Sequence, residues 1–296
     1  MEAETQLPER LRCGITKTDV ESFIRGTEGA PYYYILARER GNLVGYAGIY
    51  VYTASMVYLE SWQPLILPEY SSESLFLQIL KECIEQVRRI GRNRLEVFLM
   101  NLTEDVMGTY ELYKPLYEAA GMKRGHEWTS MTCDLSRSKL KEPEFPDDFH
   151  LRPLSEISNE ELWPCYNASF MTSEDGRYLN QTEEQRRENF EDFFDRKKPM
   201  VDDASIVLMN REEIVGFMKI NIYSDSGFVN GVGIHPDYRR RGLGRAMMKA
   251  SLVRAKQSDM QSVTLEVDVE NKGAIELYKQ VDFISTHGSI SHVWKE

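Results

Sequence analysis

The chain has 296 residues, 42% of them hydrophobic, with 36 Lys and Arg against 47 Asp and Glu for a formal net charge of −11. That length accommodates two domains of ordinary size, and the acidic balance argues against nucleic acid as a general partner while favouring cationic ligands at long range. The sequence opens without a basic stretch leading into an apolar one, and no apolar run approaches the ~18 residues of a membrane span, so a soluble cytoplasmic protein without a membrane partner is expected.

In chain order, the first half offers a strand-like RGNLVGYAGI (40–49), then ESWQPLILPEY (60–70), then an amphipathic helical run LFLQILKECIEQVRRIG (75–91), a strand RLEVFLM (94–100) and LYEAAGM (116–122). Residues 136–150, SRSKLKEPEFPDDFH, are charged and hold two prolines with few periodic apolar positions, the composition of an interdomain linker. The second half then repeats the order: REEIVGFMKI (211–220), FVNGVGIHPDY (228–238), GLGRAMMKASLVRAKQ (242–257), VTLEVDV (263–269) and LYKQVDF (277–283). Pro68 and Tyr70 align with Pro236 and Tyr238, and Tyr117 falls opposite Tyr278, so the halves read as a duplicated domain. Cys13, Cys83, Cys133 and Cys165 form no CxxC pair and the five histidines no ligand pattern, which predicts reduced thiols and no metal.

The copies differ at one place. Gly242 and Gly244 sit in the first turn of a predicted helix, where each glycine costs about 1 kcal/mol relative to alanine. Bare N–H groups at a helix start, flanked by Arg239, Arg240, Arg241 and Arg245, suit a bound anion such as a pyrophosphate. Opposite them the first copy has Ser71-Ser72-Glu73-Ser74-Leu75-Phe76. A carboxylate there suits the helix but repels phosphate, so the first copy is expected to lack the anion site.

Arg239-x-x-Gly242-x-Gly244 after Val232-Gly233-Ile234-His235-Pro236 resembles the acetyl-CoA pyrophosphate loop of the GNAT N-acetyltransferases. Downstream, Asn271, Ala274, Leu277 and Tyr278 resemble that family's second motif at its usual separation. The resemblance is firm over 204–296, extends to 149, and is degenerate over about 33–135, in the manner of tandem GNAT proteins of the mycothiol synthase type. It implies an α/β fold of two tandem GNAT-like domains, each a mixed curved sheet flanked by helices: a degenerate domain at 1–135, a linker at 136–148 and an acetyl-CoA-binding domain at 149–296. Such a chain is an internal pseudo-dimer that can act as a monomer. Asp282 departs from the family, which usually has glycine before Phe283.

The same resemblance assigns roles. The backbone of Val232, Gly233 and Ile234 would pair with the pantetheine arm, Arg239, Arg240, Arg241, Gly242, Leu243, Gly244 and Arg245 would hold the pyrophosphate, and Asn271 and Ala274 would complete the cofactor site. Tyr278 would face the sulfur as the acid. The base stays open: Phe228 stands where the family often has glutamate and Glu60 occupies that position in the first copy, leaving Glu266, Asn230 through a water chain, or Glu174 and Asp175. The implied activity is acetyl transfer from acetyl-CoA to a primary amine on a small molecule or a protein. The alternative is an acetyl-CoA-binding or sensing protein without turnover.

Overall fold

The computed structural model describes residues 32–52, 56–104, 106–173, 176–179, 181–195 and 197–296. They form two compact units, one made of the described residues up to Glu127 together with His287–Glu296, the other of those in Trp128–Thr286.

In the first unit the elements are β1 (Tyr32–Glu39), β2 (Asn42–Val51), β3 (Val57–Leu59), β4 (Leu65–Ile66), α1 (Glu73–Arg89), β5 (Arg94–Leu102), α2 (Met107–Ala119) and the start of β6 (Lys123–Asp134). The apolar positions of α1, Phe76, Ile79, Leu80, Cys83, Ile84 and Val87, recur at helical spacing and are all buried. They pack against the alternate residues Leu95, Val97 and Leu99 of β5 and against Tyr117 of α2. Burying one such side chain stabilises the fold by roughly 1.5–3 kcal/mol.

The second unit continues through β7 (Phe149–Pro153), α3 (Asn159–Met171), α4 (Gly176–Leu179), α5 (Glu183–Phe193), β8 (Ile206–Asn210), β9 (Glu213–Tyr223), β10 (Ser226–Ile234), α6 (Leu243–Gln257), β11 (Ser262–Asp268), α7 (Lys272–Lys279) and the start of β12 (Ile284–Lys295). Its strands follow the order β7-β8-β9-β10-β11-β6. Both faces of this sheet are covered, which is why β8 reads as an unbroken apolar run. Ile206 and Leu208 face one core with Met218, Met247 and Met248, whereas Val207 and Met209 face a second core with Tyr166, Phe190, Phe194 and Phe217. Ser158 and Thr182 start α3 and α5 with capping boxes closed by Glu161 and Gln185.

The duplication is visible in the turns. Pro68–Tyr70 and Pro236–Tyr238 are each a single 3₁₀ turn ahead of the long helix. Gly121 and Asp282 occupy the same place after α2 and α7, with φ of 84° and 67°. Asp282 therefore takes the left-handed conformation that glycine fills in the first copy, at a cost of about 1–2 kcal/mol.

The units do not follow the expected boundaries at 135 and 149. The second half of β6, Trp128–Asp134, pairs with β11 in the second unit, and the second half of β12 pairs with β5 in the first, from Gly288 opposite Leu102 to Lys295 opposite Arg94. Residues 136–148 are not a tether either. Leu140 and Phe145 pack on the second unit's core, Lys256 Nζ donates to the Ser138 carbonyl at 3.1 Å, and Arg254 pairs with Glu142 at 3.1 Å. Charge and proline content mark a loop but do not reveal that two apolar side chains anchor it.

His292, near the end of β12, is fully buried in the first unit, stacked on Tyr117 at 5.4 Å between ring centroids. Burial holds its pKa below the ordinary 6.5. Its folded-state pKa is depressed, so the neutral ring's contribution is complete above pH 6.5 and is lost as pH falls below it. Denaturant melts of His292→Phe should therefore show a flatter loss of stability than the parent protein between about pH 7 and 5. Parallel pH slopes would contradict this.

Candidate functional site

The site is set by where two strands part. β10 pairs with β11 in parallel over three positions, Ser226–Phe228 against Ser262–Thr264, while β9 follows β10 to Ile234 and β6 follows β11 to Asp268. Beyond Phe228 the ladder between β10 and β11 ends, leaving one backbone edge of β10 open from Val229 to Ile234. Residues 230–234 are accordingly only half-buried although β10 lies inside the sheet.

A β-bulge accompanies the parting. The register between β10 and β9 passes from Val229–Ile220 to Gly231–Lys219, so Asn230 is the extra residue. Asn230 and Gly231 consequently face the same side: Asn230 Nδ2 donates to the Phe193 carbonyl at 2.6 Å, and a Cβ on Gly231 would meet the Phe194 ring at 3.3 Å. The shift in parity also turns Val232 and Ile234 onto the core below α6. Gly233 is required by packing, because a Cβ there would lie 2.7 Å from Phe217 and 3.0 Å from Ser169.

The loop from β10 to α6 ends in Gly242, the N-cap, at φ 77°, with Arg240 also left-handed at φ 62°. No side chain caps α6. Its first N–H groups thus point outward without an intrahelical acceptor. Gly244 behaves differently from the other glycines near the site: a Cβ would sit 3.4 Å from Ile234 and 3.7 Å from Leu277, ordinary contact distances, and its φ is not in the left-handed region. Nothing within the protein excludes a side chain at Gly244. By contrast, α1 of the first unit is capped by Ser72, whose Oγ accepts from Leu75 N at 3.2 Å, with Glu73 in its first turn.

The arginines divide by role. Arg239 is turned inward, with Nε on the Ile234 carbonyl at 3.0 Å and its two terminal nitrogens on the Thr172 and Ser169 carbonyls at 3.0 and 2.6 Å. Its guanidinium thus ties the loop to the end of α3, where a cation also complements the helix dipole. Arg241 stacks over Tyr238 and donates to the Asp237 carbonyl. Arg240 and Arg245 are exposed, and among the described residues neither has an ion-pair partner. Leu243, the first residue of α6, is buried in the core.

On the other side, Asn271 Oδ1 accepts from Ala274 N at 3.1 Å and caps α7, so its side chain serves the helix directly. Tyr278 follows on that helix, buried beside Phe283, and burial pushes its phenol up to about 12. Among the described residues its hydroxyl has no hydrogen-bond partner. Glu266 is exposed on β11, with Ser130 Oγ 3.4 Å away. Phe228 is half-buried against Tyr223. Glu174 and Asp175 lie outside the described residues. The aromatic segment ahead of β8 is mainly core: Tyr166, Tyr178, Phe190 and Phe194 are buried, with Trp163, Phe170 and Phe193 partly so. Sequence reading passed over Lys219, a fully buried lysine in an apolar strand. A cation within an otherwise apolar run was the available signal, since such a group needs partners.

Residues 159–283 match the sequence model of the Acetyltransferase (GNAT) family. Over 268 residues the chain is 25% identical to a mycothiol acetyltransferase of Streptomyces avermitilis, covering 89% of this chain and 80% of that one. A mycothiol acetyltransferase of Thermobispora bispora is 30% identical over 172 residues, 55% of each chain. Two solved structures share the fold: a GCN5-related N-acetyltransferase from Sphaerobacter thermophilus (TM-score 0.67, 16% identity, 95% of this chain and 86% of that one) and a tandem GNAT protein from the clavulanic acid biosynthesis pathway (TM-score 0.62, 13% identity, 100% and 92%). The segment matched by the family model is a GNAT domain, and the chain is built as two GNAT-like domains in tandem. Residues 159–283 are thus a domain of the acetyltransferase family whose acyl donor is acetyl-CoA.

The inward setting of Arg239 carries a test. A lysine has one donor group where the guanidinium has a fork, so Arg239→Lys should cost about 1–3 kcal/mol and lower Tm by several degrees. An unchanged melting curve would show that the three carbonyl bonds are not made in solution.

Proposed function

We propose that the second unit binds acetyl-CoA in the opening between β10 and β11 and transfers the acetyl group to a primary amine, while the first unit binds no cofactor at the corresponding helix. The observation that carries this reading is Gly244: its missing side chain is demanded neither by backbone conformation nor by a neighbour, yet it lies in the first turn of an uncapped helix. A ligand in close contact with the backbone explains the vacancy, and a pyrophosphate matches the outward N–H groups and the nearby Arg240 and Arg245. The open edge of β10 offers donors and acceptors to an amide-bearing pantetheine arm, as an added strand would. In the first unit the corresponding helix start is already occupied by Ser72 and Glu73.

The chemistry follows from positioning. The amine nitrogen attacks the thioester carbon, the C–S bond breaks, the amine's extra proton passes to water and the CoA sulfur leaves as thiolate or thiol. Tyr278 is placed on α7 beside Leu277, which reaches toward Gly244. A phenol near 12 gives up its proton poorly to a thiolate whose own pKa is near the usual ~8.5, so Tyr278 acts chiefly as a hydrogen-bond donor to the developing charge. Glu266, exposed and bonded to Ser130, is less suited as a base than a water in the opening. The shared name of the relatives supports a small-molecule acceptor, for which amino sugars, polyamines and aminoglycosides are the first amines to assay.

Calorimetry should find one acetyl-CoA site per chain, and Gly244→Ala should weaken it at least tenfold without lowering Tm, since alanine raises helix propensity. Two equivalent sites, or full affinity in the variant, would refute the assignment. Tyr278→Phe should lower kcat about ten- to a hundredfold with acetyl-CoA affinity retained, and because the phenol does not titrate below about pH 12 the parent should show no basic limb from it. Unchanged kcat would leave Tyr278 as packing, and acetyl-CoA binding without thiol release across the amine panel would favour a sensor.

A further inference from the structure

We infer that Asn230 is the group that receives the incoming amine, and that Lys219 and the Phe193 carbonyl set its orientation. The inference rests on the reading that the second unit transfers acetyl to an amine.

The argument begins with a proton inventory. A backbone carbonyl can only accept, so the side-chain atom of Asn230 lying 2.6 Å from the Phe193 oxygen must be the NH₂ end of the amide. That orientation turns Oδ1 the other way. Among the described residues Oδ1 has no hydrogen-bond partner, and the side chain is half-buried. Asn230 is also the bulge residue, two positions past the last pair between β10 and β11, beside the opening assigned to the thioester. A neutral acceptor fixed there suits an amine, which carries N–H donors and must present its lone pair to the thioester carbon. Oδ1 takes no proton, so it orients the nucleophile and leaves deprotonation to water.

The support behind the amide is unusually polar for a core. Lys219, opposite Gly231 in the register, has no exposed surface. Its Nζ donates to the Phe193 and Asp195 carbonyls, both at 3.0 Å. The Phe193 oxygen therefore receives two donors, one from each strand at the bulge. It belongs to the last turn of α5, where carbonyls lack intrahelical donors and a cation is favoured. Gly231 admits the Phe194 ring, which packs the same turn down onto β10. A purely structural task would be met by an apolar side chain at 219, without the cost of burying an ammonium group. Among what the lysine adds is a fixed position for the Phe193 carbonyl, and through it for one amide.

The test uses the full chain with Asn230→Ala and Lys219→Met. Expected for Asn230→Ala is a rise of tenfold or more in KM for the amine, with acetyl-CoA affinity by calorimetry within twofold of the parent and a similar Tm. Lys219→Met should shift amine KM in the same direction by a smaller factor, and in the NMR spectrum it should remove the exchange protection of the Asn230 side-chain NH₂, a signal identified by its loss in Asn230→Ala. An unchanged amine KM in Asn230→Ala, or an unprotected NH₂ signal in the parent, would overturn the inference. Should no amine be turned over, calorimetric titration of spermidine, glucosamine and kanamycin into the CoA-loaded parent and Asn230→Ala proteins separates the two claims. Amine binding lost in the variant sustains the role of Asn230 while the transfer reading fails, and equal binding, or none in either protein, sinks the role of Asn230.

Discussion

Everything in the second unit's site depends on β10 being paired along one edge and released along the other. β9 holds it for its full length, so the strand stays rigid, whereas β11 is linked to it over three residues and then diverges. One added residue, Asn230, accompanies the change. It reverses which side chains face which core, sends Val232 and Ile234 toward α6, and turns Gly231 and Gly233 to the aromatic cluster above. An open backbone edge inside a sheet is costly unless something else satisfies it, and the proposed pairing with a pantetheine arm rests on that requirement.

The two units show how small a chemical difference separates a filled helix terminus from a vacant one. Both lead into the long helix through a Pro-x-Tyr 3₁₀ turn. In the first, a serine oxygen satisfies the helix and a carboxylate complements its dipole, so the terminus needs no ligand. In the second, glycine caps without a side chain and the donors remain outward. The first terminus is the more stable device on its own, the second the more useful to an anion.

Much of this was legible in the sequence, for physical reasons that differ by residue. The helical spacing in α1, the strand pattern RLEVFLM of β5 and the Arg-Gly loop all report local constraints, and each element appears where its pattern placed it. Arg239 shows where local pattern runs out: a charge beside glycines reads as a phosphate ligand, yet its three carbonyl partners are contributed by residues as distant as Ser169 and Thr172. Asn271 likewise reads as part of a cofactor motif and caps its own helix. The exchange of half-strands between units was not legible, because β6 and β12 have the same alternation whichever sheet accepts them. Register across distant segments is a property of the assembled sheet, and a period of two cannot encode it.

The exchanged ends impose an order of assembly. Strands β1 to β5 of the first unit precede the second unit in the chain, but the β5 edge is closed by His287–Glu296, and His292 and Trp294 belong to the first unit's buried interior. During translation the amino-terminal unit must wait, with one sheet margin uncovered, through the making of the whole second unit. Its completion is therefore tied to the long-range pairing of β12 with β5, and an exposed strand margin over that interval is a surface for misassociation. The first unit is begun before the second and completed after it.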